Sequence, residues 1–293
     1  MAILVTGGTG KTSLQLAHCL KSASIPFLLA SRKAKLTAPG GMQAINFDYT
    51  DSSSHQAIFT HSFPYDEVIE AVYLVAPEVP DPVPVMNAFI DIAIKNGVKR
   101  FVLLSGSDTE KGGDDTGGVW QHLDDIGVEY SVLKASWFMV LLINLKDNFI
   151  TCPYVQSIKE ESKFVSAMSD GQAPFVSTSD IARVAMVALT SKNPPDHDYR
   201  VLGPELLNYD EIAVKLSKVL GRTITHVKVT GEERIQMHVS MGLPEDLACY
   251  LTSLEVMTAN GGEVRRNDVV EKIGGHKPKT FDEFAEENKN LWI

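Results

Sequence analysis

The sequence predicts an α/β fold: a Rossmann-type doubly wound parallel sheet with a smaller C-terminal α+β lobe that binds substrate. Three observations predict it. Short β-rich runs alternate with helical stretches through the first half of the 293 residues, the pattern of a parallel sheet flanked by helices. The first run, "AILVTG", ends in a glycine turn that opens directly into a helix. After about Asp147 the alternation breaks into short strands and capped amphipathic helices.

Taken in order, strands are expected at "AILVTG", "PFLLAS", "QAINFD", "AVYLVAP", "RFVLLSG" and "YSVLKAS", each a short apolar, β-rich run. Helices are expected at about 11–23, 83–97 and 116–126. In the second half, "SDGQAPFVSTSDIARVAMVALTS" gives a short strand and a helix capped by Ser179 or Asp180, with Ile181, Val184, Ala185 and Leu189 on one face. "YRVLGPELLNYDEIAVKLSKVLG" repeats the plan, with Asn208 or Asp210 near the helix start and Gly221 at its end. Amphipathic stretches follow at about 231–258 and 279–290. The division is a nucleotide-binding domain over 1–147, with a return strand near 174–178 and 199–203, and a substrate-binding lobe over 148–293.

Composition narrows the partners. A hydrophobic fraction of 44% with 22% charged residues is that of a soluble globular chain. The net charge of -10 gives no support to a grip on nucleic acid, which needs clustered Lys and Arg. The widely spaced Cys19, Cys152 and Cys249 read as buried thiols in a reducing compartment. The most apolar window, Trp137 to Leu145, is about half a bilayer span, and the N-terminus carries no basic leader, so a cytoplasmic protein with no membrane partner is expected. His122 reads as a helix-face residue. His226 and His238 lack partners at ligand spacing, and no metal site is expected.

The turn "VTGGTGKTS" admits two phosphate readings. A Walker A loop needs a glycine, four intervening residues and then Gly-Lys-Ser/Thr, and counting back from Gly10-Lys11-Thr12 puts Val5 where that first glycine should be. The dinucleotide reading fits: Gly7 makes the turn, Gly10 admits the pyrophosphate at the helix N-terminus, and Ser13 replaces the third glycine of the motif with another small residue. Thr9, Lys11 and Thr12 belong to the same cradle. The second strand ends in Ser31, Arg32, Lys33 and Lys35 without the carboxylate that accepts from the ribose of NAD, so a 2'-phosphate and hence NADP(H) are expected, the alternative being a solvated basic loop. Asp48 either meets the adenine or caps a turn. Ala76 and Pro77 close the fourth strand over the cofactor, and Ser105 and Ser107 are placed to bond the nicotinamide ribose or carboxamide.

Together, "TGGTGKTS", "PFLLASR", "KRFVLLSGSDTEKGG", "LKASWFM", "APFVSTSDIARVA" and "LGPELLNYDEIAVKLSKVLGRTITH" resemble the NmrA-like, atypical short-chain dehydrogenases, and within them the fungal festuclavine and agroclavine dehydrogenases. The resemblance runs to "ENKNLWI". It implies NADPH-dependent hydride transfer to an iminium carbon of an indole alkaloid, and an apolar, polycyclic substrate.

Two departures bear on mechanism. Ordinary short-chain dehydrogenases carry Tyr and Lys four apart on the helix after strand five, whereas Tyr130 and Lys134 lie in a strand here, and Trp120 and Asp124 stand at the helix spacing. The family's "LRP-T/S-WFMEN" stands as "LKASWFMVL". An iminium needs no proton at its acceptor nitrogen, so the missing Tyr is tolerable for that reaction. Acid-base candidates are Asp108, Glu110 and Lys111 in "SGSDTEKGG", which otherwise form a solvated turn. Trp137, Phe138 and Met139 either line a pocket for an indole-like ring or pack in the core. The leading expectation is therefore an NADP(H)-dependent oxidoreductase of indole-alkaloid biosynthesis. The alternatives are a redox-neutral isomerase or Diels-Alder cyclase that keeps the cofactor, and a non-catalytic NADP-sensing regulator.

Overall fold

The computed structural model describes residues 1–33, 38–142, 154–193 and 198–293. Lys35, Cys152 and the domain boundary at Asp147 lie outside the described residues. The chain forms two compact units, and each draws on several stretches of sequence.

The first unit comprises Met1–Ala135, Thr178–Val201 and Val269–His276. Its strands are β1 (Ala2–Thr6), β2 (Phe27–Ser31), β3 (Ala44–Asn46), β4 (Ile69–Leu74), β5 (Arg100–Gly106) and β6 (Glu129–Ala135), all at the predicted places. They form a parallel sheet in the order β3-β2-β1-β4-β5-β6, extended at the β6 edge by Asp198–Val201. This is the predicted doubly wound sheet, and its strand order reverses between β1 and β4. Every residue of β1 is buried, as a central parallel strand covered on both faces requires.

The helices Lys11–Ser22, Val83–Lys95 and Thr116–Asp125 follow β1, β4 and β5 as expected. In the first, Leu16, Ala17 and Leu20 form the buried stripe. The helix Ser53–Phe59 was not expected. Its seven residues bury only His55 and Ile58, too few positions to give a helical period, and Asp51 starts it by accepting from the Ser53 amide at 3.0 Å. The helix Thr178–Thr190 begins before Ser179 and Asp180, so both lie inside its first turn instead of capping it.

The second unit comprises Ser136–Ser177, Leu202–Asp268 and Lys277–Ile293. Two small strand pairs lie in it. Lys163–Ser166 runs parallel to Thr225–Lys228, and Ala173–Pro174 runs antiparallel to Leu206–Leu207. Ala173–Pro174 therefore does not return to the large sheet. Phe164, Phe175, Tyr209, Phe281 and Trp292 are fully buried in its core. Three helices start with the same device: Asn208, Thr230 and Thr280 each accept from the amide of a Glu three residues on, whose side chain returns the bond. Asn208 is thus the cap and Asp210 is not. Gly221 closes that helix at φ 64°, in the left-handed conformation that costs glycine least.

Three residues differ from expectation. Cys249 is exposed on the helix Glu245–Ala259 and Cys19 is half-buried, so neither is a core thiol. His226 has partners distant in sequence: Asp210 accepts at 2.9 Å from Nδ1, which leaves Nε2 of the neutral ring to accept from the Ser166 hydroxyl at 2.9 Å. That line resembles a nucleophile triad, but Ser166 is fully buried and serves to tie the two strands to the start of the helix Tyr209–Leu220. Among the described residues no helix is long and apolar enough to cross a membrane.

The buried histidines of this unit couple its stability to pH. Desolvation lowers the His226 pKa despite the pull of Asp210, and for His238 burial and then the Arg234 charge bring it down to about 4. A depressed folded value means the neutral ring is favoured, so stability is full above the usual histidine range and is lost as pH falls from there towards the folded value. Thermal midpoints measured from about pH 7 down to about pH 4.5 should fall, and the fall should be shallower in His238→Gln. A parallel curve in the variant would remove His238 from the account.

Candidate functional site

The carboxyl end of β1 is fixed by one hydroxyl. Thr6 Oγ1 donates to the Tyr73 carbonyl at 2.9 Å and accepts from the Tyr49 hydroxyl at 3.0 Å and the Val75 amide at 2.9 Å. The Thr6 carbonyl accepts from Ser13 Oγ at 2.8 Å, which draws the first turn of the helix Lys11–Ser22 against the strand. A serine there both packs closely and makes a bond that a third glycine could not. The loop between turns at Gly7, φ 69°, and the Gly10 amide closes it on the Gly7 carbonyl at 2.8 Å.

Gly8 is the residue that sequence reasoning missed. A Cβ on it would lie 2.4 Å from Ser31 Oγ and 2.5 Å from Ser31 Cβ, at the end of β2, and its φ is 43°. The loop surface therefore consists of backbone, and the helix that follows has no acidic residue in its first turn to occupy its free amides. Thr12 and Ser31 are buried and half-buried beside the turn, Thr9 and Lys11 are half-buried, and Gly10 is exposed.

At the end of β2, Arg32 is exposed, with its guanidinium 3.9 Å from Glu78, and Lys33 is exposed beside it. Asp48 is engaged in a turn, accepting from the Thr50 amide at 2.9 Å and the Thr50 hydroxyl at 2.8 Å. Those bonds, amide first, hold its carboxyl below the usual range, and the Arg32 charge adds to them. Ala76 and Pro77 are half-buried just past β4. Ser105 and Ser107 are buried at the end of β5, with Ser105 hydrogen-bonded to Thr116 at 2.7 Å.

The three acid-base candidates do not converge. Asp108 and Glu110 are exposed on the loop after β5. Lys111 is drawn along the next helix to Asp124 in its last turn, 2.8 Å away, and that bond raises its pKa. Asp124 also accepts from the Tyr130 hydroxyl at 2.7 Å, so the Lys111 ammonium is engaged at the last turn of that helix beside the first residues of β6. The Tyr130 hydroxyl is thus engaged by Asp124. Lys134 lies buried near the carboxyl end of β6, its ammonium 5.3 Å from the Trp120 ring and 4.0 Å from Asp198, and in register with Ser105. Sequence reasoning set it aside, although a lysine inside an apolar strand was the available signal.

In the second unit, Trp137 and Phe138 are half-buried, whereas Met139 is 1% exposed and belongs to the core, with no surface to offer a ligand. Among the described residues no three His, Cys, Asp or Glu side chains stand close enough to hold a metal ion.

Comparison with known proteins places this geometry. An agroclavine dehydrogenase of Claviceps fusiformis is 41% identical across 100% of this chain and 99% of its own length. A festuclavine dehydrogenase of Aspergillus fumigatus is 40% identical, with 100% of this chain and 99% of its own length covered. This chain belongs to the family of the agroclavine and festuclavine dehydrogenases. The resemblance read from the sequence motifs is borne out at full length.

No protein-family model matches the chain. In fold, this member of the agroclavine and festuclavine dehydrogenase family is similar to the triphenylmethane reductase of Citrobacter, with TM-score 0.79, 20% identity and 100% of both chains covered. It is similar as well to an NADPH-dependent quinone oxidoreductase of Escherichia coli solved with NADPH, with TM-score 0.79, 23% identity, 98% of this chain and 100% of that chain.

The glycine turn generates a direct test. Gly8→Ala must move the end of β2 or distort a positive φ, and is expected to cost about 1–3 kcal/mol, read as a lower denaturant midpoint. An unchanged midpoint would show that Ser31 yields without cost.

Proposed function

We propose that this protein is an NADP(H)-dependent oxidoreductase that transfers hydride at an imine or iminium carbon of a clavine-type indole alkaloid. One observation carries the cofactor: the backbone-lined turn at Gly7 and Gly8 opens onto an acid-free helix N-terminus, while β2 ends in Arg32 where an NAD site would present a carboxylate. The residues fit the group. Side chains at Gly7, Gly8 or Gly10 would strike Ser13 and Val75, Ser31, and the Gly7 carbonyl respectively, so only glycine keeps the tight backbone turn a pyrophosphate needs, and the exposed guanidinium suits a 2'-phosphate. Gly7 to Thr12 would hold the pyrophosphate and Ser31 and Arg32 the adenosine phosphate. Ala76, Pro77, Ser105 and Ser107 would border the nicotinamide end. Full-length similarity to agroclavine and festuclavine dehydrogenases supports a clavine substrate.

When bound, the cofactor supplies a hydride. The acceptor nitrogen of an iminium loses its positive charge as the neighbouring carbon receives that hydride, so the chain needs no proton donor there. With Tyr130 and Lys134 on a strand and Lys111 withdrawn to Asp124, the helix Thr116–Asp125 carries no Tyr–Lys pair, which is compatible with this chemistry and would disable a ketone reductase built on such a pair. Asp108 and Glu110, exposed after β5, can attract the substrate cation. Within the second unit, the half-buried Trp137 and Phe138 are aromatic side chains suited to stacking on a flat ring.

Two measurements test the reading. NADPH labelled with deuterium at the transferable position should be consumed mole for mole with an iminium substrate and leave the label on carbon. Labelled product formed without net consumption would replace reduction by a redox-neutral reaction, and absence of turnover over a broad iminium panel would count against the proposal. Arg32→Ala should weaken NADPH about 10- to 100-fold by calorimetry while moving NADH less than about threefold, as loss of a charge-assisted phosphate contact requires.

A further inference from the structure

We propose that the hook carrying Thr258 and Glu263 positions Trp137, Thr258 by holding the indole N–H and Glu263 by holding the neighbouring Ser136, and so sets the unit's preference for flat polycyclic ligands. The inference rests on the reading that Trp137 contacts substrate. All the groups involved belong to the second unit.

The backbone of Trp137 is fixed first. Its carbonyl accepts from the Val176 amide at 2.8 Å, and the Met139 amide donates back to Val176 at 3.0 Å, so the segment lies alongside Val176 as a single bridge. What remains adjustable is the ring. The indole N–H donates to Thr258 Oγ1 at 2.9 Å, and Thr258 spends its own proton on the Leu254 carbonyl at 2.9 Å, which turns its oxygen towards the indole. The preceding residue is gripped as well: Ser136 Oγ donates to Glu263 Oε2 at 2.8 Å.

Thr258 and Glu263 arrive together. The helix Glu245–Ala259 ends in a tight turn in which the Gly261 and Gly262 amides donate to the Thr258 and Met257 carbonyls, and the chain doubles back to deliver Glu263. A single short hook thus holds both Ser136 and Trp137. Neither residue type at these places betrays the pairing in sequence.

The chemistry at the hook requires a carboxylate. Glu263 is fully buried, and its other oxygen accepts from Arg265 at 3.0 Å. Two donors, a hydroxyl and a guanidinium, converge on its two oxygens. An acid accepts both, whereas an amide presents one acceptor and one N–H that would face a donor. Burying a carboxylate is costly unless it is paired and hydrogen-bonded, as it is here. Removing the Ser136–Glu263 bond loosens the residue next to Trp137, and removing the Thr258 bond releases the ring itself.

The test uses the full chain saturated with NADP+ and a non-reducible tetracyclic indole amine as probe, with affinity read by calorimetry so that turnover is not required. Trp120 and Trp292 are buried and Trp137 half-buried, so acrylamide quenching of tryptophan emission reports mainly on Trp137. Glu263→Gln and Thr258→Val should each weaken the probe about tenfold, the size of one lost buried hydrogen bond, and increase quenching while leaving NADPH affinity unchanged. Thr258→Ser, which keeps the hydroxyl, should restore both. If Trp137→Ala weakens the probe but Glu263→Gln and Thr258→Val do not, the positioning role falls and the substrate reading stands. If Trp137→Ala leaves the probe unaffected, both fall. A loss of NADPH affinity in Glu263→Gln would mark a general structural role and overturn the proposal. Should Glu263→Gln fail to fold, the Thr258 pair decides.

Discussion

The carboxyl edge of the large sheet around β1 depends on the hydrogen bonding of Thr6. Its hydroxyl has one proton and two lone pairs, and all three are used on Tyr73, Tyr49 and Val75. Because those partners lie on β4 and on the chain after β3, the bond set fixes the gap between β1 and β4, where the strand order reverses. The Thr6 carbonyl, through Ser13, fixes the helix that follows. The turn at Gly7 and Gly8 inherits its shape from these anchors, and glycine suits both because φ is positive and a Cβ would strike Ser13 and Val75 at Gly7 and Ser31 at Gly8.

The electrostatics of the first unit follow from what stands at the ends of the strands. The net charge of -10 is distributed so that the helix N-terminus after β1 stays free of acids and the end of β2 carries Arg32 and Lys33. An anionic ligand is therefore attracted locally by a protein that is acidic as a whole. Glu78 tempers this by sharing Arg32, and Asp48 adds a second carboxylate whose charge its turn stabilises. The buried Lys134, against the Trp120 ring, places a cation at the carboxyl end of β6 where an ordinary hydroxyl-based reductase of this kind would use its helix.

The second unit is built on opposite terms, with charges folded inward and satisfied. Arg234 and Glu255 pair at 3.1 Å while both are buried, and Glu255 accepts from the Ala167 amide on its other oxygen. Tyr154 shares the pair, and burial followed by the Glu255 charge pushes its phenol pKa up. Glu263, buried and paired with Arg265, follows the turn that ends the helix carrying Glu255. Buried ion pairs of this kind contribute geometry more than stability, since desolvation offsets much of their attraction.

The sequence by itself determined the six strands β1 to β6 and the helices that follow β1, β4 and β5, the turn chemistry at Gly7 and Gly10, and the absence of a carboxylate after β2. Each of these rests on local sterics or on periodicity within one segment. Only the tertiary structure decided that Gly8 is pressed against Ser31, that Lys111 leaves Asp108 for Asp124, that Met139 is core, that Asp210 and Ser166 hold His226, and that Glu263 meets Ser136 across 127 residues. The reason is physical: a side chain's partner is fixed by packing between elements, and no spacing within a single helix or strand encodes which distant group will arrive there.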